Sequence, residues 1–153
     1  MRSVRREAKA NGSGKVVLPI DLSGISVFIA MPAHRDIPPA TVLSLLDSHR
    51  VAAEYGIAVQ LSLEIGVADV SLARTICVHR FLHQSKANKL FWIDSDMEWT
   101  PDAFMRMLAI STKVDAVIGA YPEKCEPTRF HVGTNGKVGL NDYGCLPVTS
   151  GGM

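Results

Sequence analysis

Apolar and polar positions alternate between two periods along this chain. Residues 26–31, Ser-Val-Phe-Ile-Ala-Met, form an apolar run that ends at Pro32. Such a run reads as a buried strand, and Pro32 closes it because proline brings no N–H to a ladder. Ala33-His34-Arg35-Asp36 is then a loop, and Pro38-Pro39 opens a helix to about Tyr55. Val42, Leu45, Leu46, His49 and Ala53 approximate its inner face, and Gly56 ends it. Ile57, Val59, Leu61 and Leu63 alternate as a second strand, with Glu64 at its end. Ser71 is the expected cap of a second helix to about Ser85, with Leu72, Ala73, Ile76, Cys77, Phe81 and Leu82 as its apolar face. A third strand is Leu90-Phe91-Trp92-Ile93, with Trp92 packed in the core. Thr100-Pro101-Asp102 starts a third helix to Ile110, with Phe104, Met107 and Leu108 inward. Residues 114–120 read as a fourth strand, and Asn135-Gly136 between short strand-like runs marks a C-terminal β-hairpin.

Strand–helix alternation of this kind predicts an α/β fold with a mostly parallel sheet and helices on both faces. Residues 1–24 read as a basic flexible tail and lead-in, and residues 25–153 as the folded domain. Within residues 1–15, Arg2, Arg5, Arg6, Lys9 and Lys15 face Glu7 alone, so the remainder carries a net charge of −3 in a chain of net +1. A mildly acidic body argues against nucleic-acid binding, whose footprint is a basic face. Cys77, Cys125 and Cys145 include no CxxC pair, which fits a reducing compartment and no disulfide framework. No apolar run approaches the ~20 residues of a membrane span, so the expected location is cytoplasmic.

The chemistry gathers at the end of the third strand. Asp94-Ser95-Asp96 places two carboxylates at i and i+2, directly after four apolar residues. In open parallel sheets this carboxyl edge is where ligands bind. Paired acids there suit Mg²⁺ or Mn²⁺, which take oxygen ligands and leave room for phosphates. Arg74 stands early in a helix, where its charge opposes the macrodipole. Arg35 is either a phosphate contact or a surface charge. Trp99 either covers a ligand or packs into the core. His49, His79 and His83 read as structural or surface residues rather than ligands.

With these parts placed, the sequence resembles the nucleotide-sugar-binding half of GT-A glycosyltransferases, which is Rossmann-like, and particularly the family-two-like group. The residues that carry the resemblance are the opening strand ending in Pro32, Leu72-Ala73-Arg74, the DxD motif of residues 90–97, and Trp99-Thr100-Pro101-Asp102-Ala103 followed by Gly119-Ala120-Tyr121-Pro122. It implies a metal-dependent transferase that moves a sugar from a nucleoside-diphosphate donor, a UDP-sugar before a GDP-sugar. It implies Asp96 as metal ligand and Asp94 as metal support or ribose contact. Pro32, Ala33, Arg35, Glu64, Arg74, Asp94 and Ser95 would contact the donor, with Glu64 reading the base. Thr75 departs from the family's usual Asn, and no residue matches its catalytic base. The resemblance also implies an acceptor half after Gly151-Gly152, so the expected fold is truncated at its C-terminus and exposes surface that favours a homo-oligomer. The alternatives are a non-catalytic nucleotide-sugar-binding module and a phosphatase of the haloacid-dehalogenase type. Glu98 at the fifth place of the motif and two strand–helix units before it fit the phosphatase poorly. A nucleotidylyltransferase would need a Gly-rich first loop, which residues 33–36 are not.

Overall fold

A computed structural model describes residues 20–119. The expected hairpin, and the Ala120-Tyr121-Pro122 part of the resemblance, lie outside the described residues. The elements run β1 (Ser26–Ala33), α1 (Pro39–Glu54), β2 (Ala58–Ile65), α2 (Val70–Gln84), β3 (Lys89–Trp92) and α3 (Pro101–Ile110). The chain falls into two compact units, Met1–Pro101 and Asp102–Met153. No described helix is long and apolar enough to cross a membrane.

The first unit is an α/β layer structure with a parallel sheet of order β2-β1-β3. β1 is central, and Val27, Phe28, Ile29, Ala30 and Met31 are all buried. Burying each of the large side chains contributes about 1.5–3 kcal/mol. The register aligns Phe28 with Gln60 and Leu90, and Ala30 with Ser62 and Trp92. α2 packs on that face, where Cys77 and Phe81 meet Phe28, Ala30 and Leu90. Phe81 tilts against Phe28 with ring centroids 5.7 Å apart. The chain steps from β1 outward to β2 and back across to β3. Because such crossovers follow the right-handed rule, two steps in opposite directions put α1 and α2 on opposite faces.

Pro32 does not close the first strand as the sequence suggested; β1 continues to Ala33, with Pro32 paired to Glu64. Hydrogen bonding explains why proline is tolerated there. Asn88 N–H donates to Ser26 O and Ile93 N–H to Ala30 O, so even-numbered residues of β1 bond toward β3. The missing N–H of Pro32 therefore points to the side on which β3 has already stopped, at Trp92. That early stop leaves a notch beside Pro32.

Four faces differ from the reading by periodicity. α1 buries Thr41, Ser44, Ser48 and Ala52, whereas Val42, Leu46, His49 and Ala53 are exposed. The buried hydroxyls have partners, which satisfies a face that hydropathy alone scores as polar. β2 exposes Leu61, Leu63 and Ile65 because it stands at the sheet edge, and its polar row meets α2 instead. Ser62 is buried, and Ser85 Oγ donates to Gln60 Oε1 at 2.9 Å. Leu72 and Leu82 are exposed on α2, since Ala73 and Cys77 form its inner line. Trp92, at the last position of β3, is 39% exposed rather than buried.

Local caps follow simple chemistry. Asp69, not Ser71, caps α2, its carboxylate accepting from Ser71 N–H at 2.8 Å and Leu72 N–H at 3.2 Å. Gly56 follows α1 at φ +72°, the left-handed region that side chains disfavour. In the second unit, α3 carries Asp102 in its first turn, paired with Arg106 at 3.3 Å. Phe104 and Leu108 are buried, and Met107 is half-buried. Residues 114–119 form no strand; they follow α3 as bends and irregular chain.

Candidate functional site

The notch beside Pro32 opens into a cleft of about 370 Å³. Pro32, Ala33 and His34 reach it from the end of β1. Val67, Ala68, Val70 and Ala73 form a wall from the loop after β2 and the first turns of α2, and Asp94 and Ser95 face it from beyond β3. These are the carboxyl ends of all three strands. The crevice between β1 and β3 is also the point where the chain's direction across the sheet reverses, the place where open α/β sheets bind ligands.

The acids stand on a turn. Ile93 N–H donates to Ala30 O at 3.2 Å, extending the ladder one step, and Met97 N–H donates to Asp94 O at 3.3 Å. Asp at the first position of such a turn is favoured for local reasons as well. Beyond the turn, Trp99 is fastened to α1. Its backbone N–H donates to Ser44 Oγ at 3.1 Å and its indole Nε1–H to Ser48 Oγ at 2.9 Å. The Asp94 and Asp96 side chains are exposed to solvent, as access by a ligand requires.

Arg74 comes from the first turns of α2 to within 3.6 Å of Asp94, with both side chains about half exposed. The sequence therefore brings together Pro32, Ala33, Asp94 and Ser95 on the cleft, with Arg74 at Asp94. It does not bring Glu64 or Arg35 there. Glu64 turns under α2 and pairs with Arg80 at 2.6 Å, its side chain only 12% exposed. Arg80 also reaches Ser62 Oγ at 3.4 Å. Arg35 is exposed and does not line the cleft. Burial and then the nearby Glu64 carboxylate push the Cys77 thiol up from its ordinary value, with Arg80 opposing.

His34 and the apolar wall were not singled out from the sequence. Asp69 is the one local signal for the wall: it caps the start of α2, and Val70 and Ala73 of those first turns line the cleft. The serines that hold Trp99 carried a signal too, since Ser44 and Ser48 share one helix face four residues apart.

The donors on the turn are all oxygen: Asp94, Ser95 and Asp96. Oxygen donors suit a hard cation of the Mg²⁺ or Mn²⁺ type. Among the described residues, no group of three or more His, Cys, Asp or Glu side chains converges as a complete metal cage. A cation that shares substrate phosphates needs only one or two carboxylates, so this donor set fits it. Comparison with protein-family models, with curated proteins and with solved structures gave no match.

Proposed function

We propose that the cleft binds a nucleoside-diphosphate sugar and that the protein is a metal-dependent glycosyltransferase. The observation that carries this reading is the composition of the cleft at the β1–β3 crevice: an apolar wall on one side, Asp94 and Ser95 of the acid turn on the other, and Arg74 beside Asp94. A nucleoside has an apolar base face and a polar ribose, and its diphosphate calls for positive charge. Val67, Ala68, Val70 and Ala73 offer the base an apolar surface. Asp94 offers a carboxylate to ribose hydroxyls, and Arg74 a planar, bidentate partner for phosphate oxygens.

Asp94 and Asp96 would hold Mn²⁺ or Mg²⁺, whose charge stabilises the nucleoside diphosphate as it departs. Asp69 already takes the N–H groups of Ser71 and Leu72 at the N-terminus of α2, so phosphate binding would fall to Arg74 and to the cation held on the acid turn. Arg74 pairs with Asp94 when no phosphate is bound and is available to exchange that partner for one.

Calorimetric titration of uridine diphosphate, with and without Mn²⁺, tests the proposal. Binding should require Mn²⁺ and weaken at least about tenfold in Asp96→Ala, the scale of losing a charge-assisted contact. A folded chain that binds neither uridine nor guanosine diphosphate in the presence of Mn²⁺ contradicts it.

A further inference from the structure

We infer that Trp99 is a positioning residue for the Asp94–Asp96 turn, acting through a bracket with Ser44 and Ser48 of α1. The inference deepens the donor-site reading and rests on it for its ligand measurement alone.

The segment after β3 is fixed at two places. At its start the strand ladder ends with Ile93 N–H on Ala30 O. At its end Trp99 donates twice, through its backbone to Ser44 and through its indole to Ser48. Between these anchors stand the two acids, on a turn closed by the Met97–Asp94 bond. Asp96 lies three residues before Trp99, so a shift of Trp99 passes almost directly into the turn.

The two acceptors are themselves buried. Ser48 is fully buried and Ser44 is 5% exposed, both on the inner face of α1. A helix face that buried serine and threonine without partners would be destabilising. Here the hydroxyls give the indole and the backbone a defined seat. Trp99 thereby ties the loop after β3 to the helix after β1, and the cleft takes Pro32, Ala33 and His34 from that same β1 end. The bracket thus holds the loop that carries the acids against α1, the helix that follows the β1 end of the cleft.

The experiment compares wild type with Trp99→Phe, Ser48→Ala and the double variant. Trp99→Phe leaves a buried hydroxyl without its donor and should destabilise. The double variant removes both partners, which is close to neutral for stability, so its denaturation midpoint should return toward wild type. Positioning predicts that its Met97 amide still exchanges with solvent about three- to tenfold faster, while β1 amides such as Ile29 stay protected. Mn²⁺-dependent uridine diphosphate affinity should fall by a similar factor and should not recover with the midpoint.

An unchanged Met97 exchange rate in the double variant overturns the inference. So does an affinity that recovers together with stability, since the bond then serves the fold alone. If wild type binds no uridine diphosphate, the donor-site reading fails, and the exchange comparison alone decides the bracket. Should the double variant not fold, Ser48→Ala carries the same two measurements.

Discussion

Glu64 and Arg74 show how two charged residues of similar promise reach different ends. Both stand near the carboxyl edge in sequence, Glu64 at a strand end and Arg74 at a helix start. The edge position of β2 lets its polar row turn under α2, so Glu64 is taken by Arg80 at 2.6 Å. Arg74 is on the exposed side of α2 and stays beside Asp94. Glu64→Gln should therefore lower stability by about 1–2 kcal/mol, the range for weakening a half-buried charged hydrogen bond. Urea unfolding checks that value. Uridine diphosphate affinity should stay within twofold of wild type; a tenfold loss would restore Glu64 to the base-reading role that the family resemblance implies. Cys77 gives a pH signature. Its thiol is held above the ordinary value of 9.0, chiefly by burial. The folded state thus keeps a proton that the unfolded chain releases, so this contribution is complete below the unfolded pKa and is lost as pH rises through the folded one. Unfolding midpoints measured from pH 8 to 10.5 should fall more steeply in wild type than in Cys77→Ala.

At the level of elements, the order and type of all three helices and three strands were legible, because the apolar runs are bounded by residues such as Gly56, which ends α1, and Pro101, which starts α3. The inner faces were less so. α1 has two candidate stripes, and hydropathy prefers the one through Val42 and Leu46. The structure buries Thr41, Ser44 and Ser48 instead, and Trp99, distant in sequence, supplies hydrogen bonds to the two serines. β2 alternates cleanly, yet alternation does not tell an edge strand from a central one. The sheet order that decides this depends on long-range pairing. Substitution costs should follow the observed faces. Ile29→Ala, in the fully buried central strand, should cost about 2–5 kcal/mol. Leu61→Ala, on a row 43% exposed at that site, should cost under about 1.5 kcal/mol, scaled down from the same range. Asp69→Ala should cost about 0.5–2 kcal/mol by uncapping α2. Denaturant unfolding of the three variants checks the ranking, and an equal loss at Ile29 and Leu61 would contradict the sheet order.

On the scale of the whole molecule, the cleft follows from where strands stop. β3 ends at Trp92, opposite Ala30, while β1 runs on to Ala33. Pro32 is accommodated because nothing on that side needs its N–H. The resulting notch gathers the ends of three strands and the start of α2 into one cleft. The sequence marked the acid turn, since Asp94-Ser95-Asp96 follows an apolar strand. It did not mark the apolar wall, because Val67, Ala68 and Ala73 are ordinary residues whose meaning lies in their shared position. The central claim, that a nucleoside diphosphate occupies this cleft between the wall and the acids, is tested most directly by NMR. Wild-type protein with labelled alanine and valine methyl groups is titrated with uridine diphosphate and Mg²⁺. Shifts should concentrate at Ala33, Val67, Ala68, Val70 and Ala73, with Ala52 and Val27 unmoved. Shifts centred elsewhere on the protein, or none at saturating nucleotide, would contradict it.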